Sequence, residues 1–235
     1  MKIYIKNIAY RIASLFPTKG AVILMYHSVG DNGKLFTVTS ENFARQMQYL
    51  HDHHFSVLGL EDAVSRMQKN DLPPRSVVIT FDDGYQDNYT NAFPVLRQYR
   101  FPATIFVNRN VEGLEALSEQ GIKEMAASGL VTFGSHAHRH VKLAQLSDAE
   151  IETELAVSKK TLEGITGTEV RALAYPYGSY DARVKNIAAQ HYHLACAVHK
   201  GRVTASSDML ALSRNSIDSE VTLTQFKGIV RRGRL

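Results

Sequence analysis

The sequence predicts an α/β fold with a mainly parallel sheet and enough repeating units to close a barrel. Seven short runs, β-branched or continuously apolar, alternate with stretches of helical periodicity, the pattern of successive βαβ units. The runs are apolar on both faces, as expected of strands buried between layers. The clusters rich in acids and histidines also fall where such runs end, the edge at which parallel α/β folds gather function.

In chain order, residues 2–16 carry Ile3, Ile8, Ile12 and Phe16 with basic residues between them. They read as a helix packed on the domain, with contact to an anionic membrane surface as the alternative. Lys6 and Arg11 interrupt any signal-peptide core, and no small-residue cleavage site follows. No stretch reaches the roughly 18 apolar residues of a membrane span. A location in the cytoplasm or on the cytoplasmic membrane face is therefore expected. The chain divides into a basic amphipathic segment, 1–20, and one large domain, 21–235.

Strand-like runs are expected over residues 21–26, 55–58, 76–81, 103–107, 131–134, 172–175 and 194–198. Between them lie helical patterns. The first opens at Ser40, an expected N-cap with Glu41 in the first turn. Others cover 60–68, 91–99, 114–128, 147–165, 181–190 and 222–230. The helix at 147 begins Ser147-Asp148-Ala149-Glu150, a capping box.

The formal charge of +4 favours anionic surfaces without establishing such contact, and no nucleic-acid partner is expected. The single cysteine, Cys196, cannot form an internal disulfide and reads as a core strand residue.

The chemistry concentrates at four strand ends. VVITFDDGY closes in adjacent carboxylates, Asp82 and Asp83, and a turn at Gly84 can aim both into one cleft. One could ligate a metal while the other, kept ionised by that cation, acts as a base. After VTF come His136 and His140, four residues apart. With one carboxylate they make a two-histidine set with open positions, suited to zinc and other late first-row ions. His138 faces elsewhere if this loop is a helical turn, and joins the pair if it is extended. Met25-Tyr26-His27 and Tyr175-Pro176-Tyr177-Gly178 end two further runs. His27 could instead be a core histidine, Asp82-Asp83 a helix cap, and the tyrosine segment a plain β-turn. The histidines of HDHHF, 51–55, lack strand-end context and read as a solvated helix end.

TFDDGY, SHAHRH and LAYPYGSYD, with the lead-ins ILMYHSV and FPATIFV, resemble the motifs of the polysaccharide deacetylases of NodB-homology type, carbohydrate esterase family 4. The branch they look like is that of the biofilm-polysaccharide deacetylases, and the likeness runs from about residue 21 to 219. The resemblance implies a distorted (β/α)7-type barrel and metal-dependent removal of N-acetyl groups from amino sugars of a polysaccharide or glycan precursor. It implies a divalent metal, most simply Zn2+, with Co2+ or Ni2+ as alternatives, held by Asp83, His136 and His140. It also implies Asp82 as the base for the attacking water, His27 as the acid for the leaving amine, and the backbone N–H of Tyr177 as an oxyanion donor. Alternatives of a different kind are a deformylase or O-acetyl esterase on a related glycan or glycolipid, or a catalytically silent carbohydrate-binding homologue.

The chain departs from the family pattern at Ala137, at Val141, at Ala174 in place of the base-orienting arginine, and in having no tryptophan. Arg214, in LSRNSID, is expected to replace the missing arginine.

Overall fold

The computed structural model describes residues 20–111 and 113–234. The helix expected over 2–16, with its membrane contact, lies outside them. Among the described residues no helix is long and apolar enough to cross a membrane.

The chain opens with β1 (Val22–Tyr26), β2 (Ser28–Val29), β3 (Thr37–Val38), α1 (Ser40–Asp52), β4 (Ser56–Leu58) and α2 (Leu60–Gln68). It continues through β5 (Ser76–Phe81), a π-helical turn (Asn88–Ala92), α3 (Phe93–Tyr99), β6 (Ala103–Val107), α4 (Glu119–Ala127) and β7 (Val131–Ser135). It ends with α5 (Asp148–Thr166), β8 (Ala172–Ala174), α6 (Ala182–His191), β9 (Leu194–Cys196), β10 (Asn215–Ser216) and α7 (Leu223–Arg232). Each of the seven expected runs contains a strand. β2, β3 and β10 are two-residue strands, too short for any periodicity to register.

The main sheet is parallel throughout, in the spatial order β10-β1-β5-β6-β7-β8-β9, with β4 beside β5. It is a curled, distorted barrel, and two ladders show the distortion. β5 pairs with β4 over Ser76–Val78 and then with β6 over Ile79–Phe81 on the same edge. On the far side, an isolated parallel bridge, Cys196 to Leu212, joins β9 to the segment that pairs with β1 as β10 a few residues later.

Alternation along the strands creates two cores. Val77, Ile79 and Phe81 face outward and pack with helix residues such as Phe43, Met47, Ile122 and Leu155. Val78 faces inward with Ile23, Phe106, Ala174 and Cys196, joined by Leu60, Ala63, Val64 and Met67 of α2. The same period carries the inward face on to Thr80 and then Asp82, so the barrel interior leads directly to the first carboxylate.

Two local expectations are corrected. The N-cap of α1 is Thr39, not Ser40: Thr39 has the extended backbone a cap needs, and its side chain accepts from the Asn42 N–H. The helix expected over 114–128 starts only at Glu119, capped by Ser118. The residues before it are drawn onto the loop after β5, where Gln86 N–H donates to Glu115 O and Leu117 N–H to Gly84 O. The capping box at Ser147 and Glu150 forms as expected.

Candidate active site

Asp82 continues the inward face of β5 and is almost fully buried. Arg214 lies just before β10 and is wholly buried. Its Nη1 and Nη2 donate to the two Asp82 carboxylate oxygens at 2.6 and 2.8 Å. Nε donates to Ala197 O at 3.0 Å, and the guanidinium lies over the Phe106 ring, 5.4 Å from its centroid. A forked guanidinium on a carboxylate fixes orientation as well as charge. Burial alone would raise the Asp82 carboxyl; Arg214 foremost, then His136 and His27, more than offset it and hold it at about 2.

Strand alternation would send Asp83 away from Asp82. Asp83 and Gly84 instead both adopt left-handed backbone, φ 72°, which turns the chain at the strand end and aims the second carboxylate into the same cleft. Glycine takes this conformation freely and aspartate tolerates it. Asn108, just past β6, holds Asp83 through Nδ2 to Oδ1 at 3.2 Å and through its own N–H to Asp83 O at 3.3 Å.

The histidines come from the loop after β7. Asp83 Oδ1 lies 3.6 Å from His136 Nε2 and 3.2 Å from His140 Nε2. One ligand atom from each of the three residues falls within 4.8 Å of the others. Such separations suit donors sharing one ion about 2 Å from each. His136 Nδ1 lies 2.7 Å from Ala174 O. A carbonyl only accepts, so Nδ1 carries the proton and the Nε2 lone pair faces Asp83, the tautomer a metal requires. Burial lowers the His136 pKa, and the charges of Asp82 and Asp83 only partly oppose this. The ring therefore favours its neutral, ligating form. Two imidazoles and a carboxylate thus fit a divalent ion of the zinc type.

The loop is neither a helical turn nor extended. Ala137 and His140 are left-handed, at φ 59° and 55°, and this brings the His136 and His140 rings to a centroid distance of 4.9 Å. His138 is not among the residues lining the cavity. The hydroxyl absent at Ala137 is compensated by Ser135, whose Oγ accepts the Ala137 N–H at 3.1 Å.

His27 lines the same cavity, about 370 Å³ in volume, as do Met25, Phe36, Tyr85, Tyr177 and Val198. Its backbone is stitched to the π-helical turn: Asn88 Nδ2 donates to His27 O and Asn91 Nδ2 to Val29 O, both at 2.7 Å. The half-buried Asp87 carboxylate accepts from Ser28 Oγ at 2.6 Å. Tyr177 is left-handed at φ 58° and places its ring 4.5 Å from that of His140. It is open to solvent, 60% exposed.

The structure therefore brings six of the seven expected site residues, Asp82, Asp83, His136, His140, His27 and Tyr177, to one cavity, with Arg214 directly behind Asp82. Asn108 and Glu154 escaped the sequence reading. Asn108 follows a strand run just as Asp82 does, and Glu154 interrupts the apolar stripe Ile151, Leu155, Leu162 of α5. Each was a polar residue at a position patterned for something else.

A curled parallel sheet that presents paired acids and histidines at its strand ends to one cleft places them where enzymes of this architecture carry their active sites. Residues 69–195 match the family model for polysaccharide deacetylase, and the chain belongs to that family of hydrolases. It is 31% identical over 209 residues to the poly-β-1,6-N-acetyl-D-glucosamine N-deacetylase of Staphylococcus epidermidis, covering 83% of this chain and 72% of that one. Among solved structures, a polysaccharide deacetylase from Bacillus cereus superimposes with a TM-score of 0.81 at 32% identity, covering 90% of this chain and 69% of the other. The Streptococcus pyogenes deacetylase PplD in complex with acetate gives 0.82 at 28% identity, covering 94% and 100%.

Proposed function

We propose that this protein hydrolyses N-acetyl groups on amino sugars of a polysaccharide, using a divalent metal held by Asp83, His136 and His140. The observation that carries the reading is the pairing of that three-donor cluster with the buried, Arg214-clamped Asp82 in one cavity. The N-deacetylase relative from Staphylococcus epidermidis supports an amino-sugar polymer as the substrate class.

When bound, the metal would supply Lewis acidity toward the amide oxygen and the attacking water. The chain's own residues supply the rest. Asp82, ionised and oriented by Arg214, accepts the proton of the attacking water. His27, which lines the same cavity, delivers a proton to the leaving nitrogen, without which an amine does not depart. The Tyr177 backbone N–H donates to the developing oxyanion, a contribution of several kcal/mol where such donors are fixed (about 3 kcal/mol for one donor).

The test is acetate release from β-1,6-linked N-acetylglucosamine oligomers by protein stripped of metal and then reloaded with Zn2+, Co2+ or Ni2+. Asp82→Asn should retain metal binding and lose activity by about 10²–10⁴-fold. If no reloaded metal restores acetate release, the N-acetyl reading fails.

A further inference from the structure

We propose that Glu154 is a positioning residue for the metal site, clamping the loop between His136 and His140 in its ligating shape before any ion binds. The inference rests on the metal reading above and adds a residue from outside the cavity.

Glu154 is 1% exposed and sits on the buried face of α5. Burying a carboxylate on an apolar helix face is unfavourable unless donors surround it. Three do. Oε2 accepts the backbone N–H groups of His138 at 2.9 Å and Arg139 at 2.8 Å. Oε1 accepts from Arg139 Nε at 2.5 Å. The two backbone donors are consecutive and lie between the left-handed residues Ala137 and His140. Such a backbone gathers successive N–H groups into an anion-binding concavity, and Glu154 fills it from within the protein.

The clamp explains a backbone that the sequence alone disfavours. Left-handed geometry is uncommon outside glycine, less so for histidine than for alanine, yet Ala137 and His140 both adopt it where His136 and His140 meet at Asp83. One turn further along α5, Ser158 accepts a hydrogen bond from Ser135 Oγ at 2.8 Å, and that oxygen accepts the Ala137 N–H. Helix α5 thus grips the loop at its entry and at its middle. Loss of the middle grip should leave the ligands in place chemically but free to separate.

The experiment measures Co2+ and Zn2+ affinity, with the cobalt visible spectrum as a report on ligand geometry. It compares wild type, Glu154→Gln, Glu154→Leu and His140→Ala, each checked for folding by circular dichroism. Glu154→Leu should weaken metal affinity about 10–100-fold, the range for partners that orient ligands, and alter the cobalt spectrum. Glu154→Gln keeps an acceptor for both N–H groups and should retain most of the affinity. A folded Glu154→Leu protein with wild-type affinity and spectrum overturns the proposal. Failure of wild type to bind either ion more tightly than His140→Ala overturns the metal reading instead. Should the Leu variant not fold, hydrogen exchange on the metal-free wild type decides. Protected His138 and Arg139 amides support the clamp, and freely exchanging ones overturn it.

Discussion

Arg214 and Asp82, 132 residues apart in sequence, form a two-point ion pair of 2.6 and 2.8 Å inside the barrel. The position expected to hold an arginine is filled by Ala174, which instead offers its carbonyl to His136. The guanidinium reaches the base from the opposite edge of the sheet, where the segment running into β10 pairs with β1.

Arg214→Met should cost about 3–5 kcal/mol of stability, because Asp82 is left buried and unpaired. Its clearest effect should be on pH dependence. With the main counterweight to burial gone, the Asp82 carboxyl rises, and the acid limb of kcat/KM moves to higher pH. Arg214→Lys keeps charge without the fork and should lose up to about 10²-fold in kcat/KM, within the worth of a well-placed base. A wild-type pH profile in Arg214→Met would show that the arginine does not tune the base.

Stability in acid follows from the same pair. Asp82 is depressed from 3.8 to about 2, so its contribution is complete above the unfolded value and vanishes as pH falls through about 2. It should amount to roughly 2 kcal/mol. Urea denaturation of wild type and Asp82→Asn should give a gap that is constant from about pH 7 to 5 and narrows below about pH 4. A gap that narrows near pH 6 would point to a different group.

Metal should report on itself through stability. Zn2+ at a hundredfold excess over its Kd stabilises a one-site protein by about 2.7 kcal/mol, or about 5–10 °C in Tm at this size. The shift should disappear with a chelator and in His140→Ala. An equal shift in that variant would place the ion elsewhere.

Gly134, two residues before His136, faces inward. A Cβ there would sit 2.5 and 2.6 Å from Phe106 ring carbons and 3.0 Å from Ala172 O. Gly134→Ala should therefore destabilise the protein by about 1–3 kcal/mol. Since Phe106 also underlies the Arg214 guanidinium, activity should fall along with Tm. Calorimetry showing an unchanged Tm would mean that the ring yields freely.

The seven sheet-forming runs were legible because each is a short β-branched or continuously apolar stretch set among helical patterns. The strand-end rule then located Asp82, His136, Tyr177 and His27 without any contact information. The false start of α4 at residue 114 and the misplaced cap at Ser40 share one cause. Both depended on what neighbouring backbone was doing: Gly84 and Gln86 in the first case, the extended Thr39 in the second.

What the sequence determined by itself is the set of reactive groups and the edge of the sheet on which they stand, since periodicity and strand ends are local properties. Tertiary structure decided which groups meet. The Arg214–Asp82 pair depends on how far the sheet curls, the His136–His140 spacing on two left-handed residues held by Glu154, and the aim of Asp83 on Asn108 from the next strand. Each of these is set by a partner distant in sequence, and the energy that fixes it exists only once the barrel has brought that partner near.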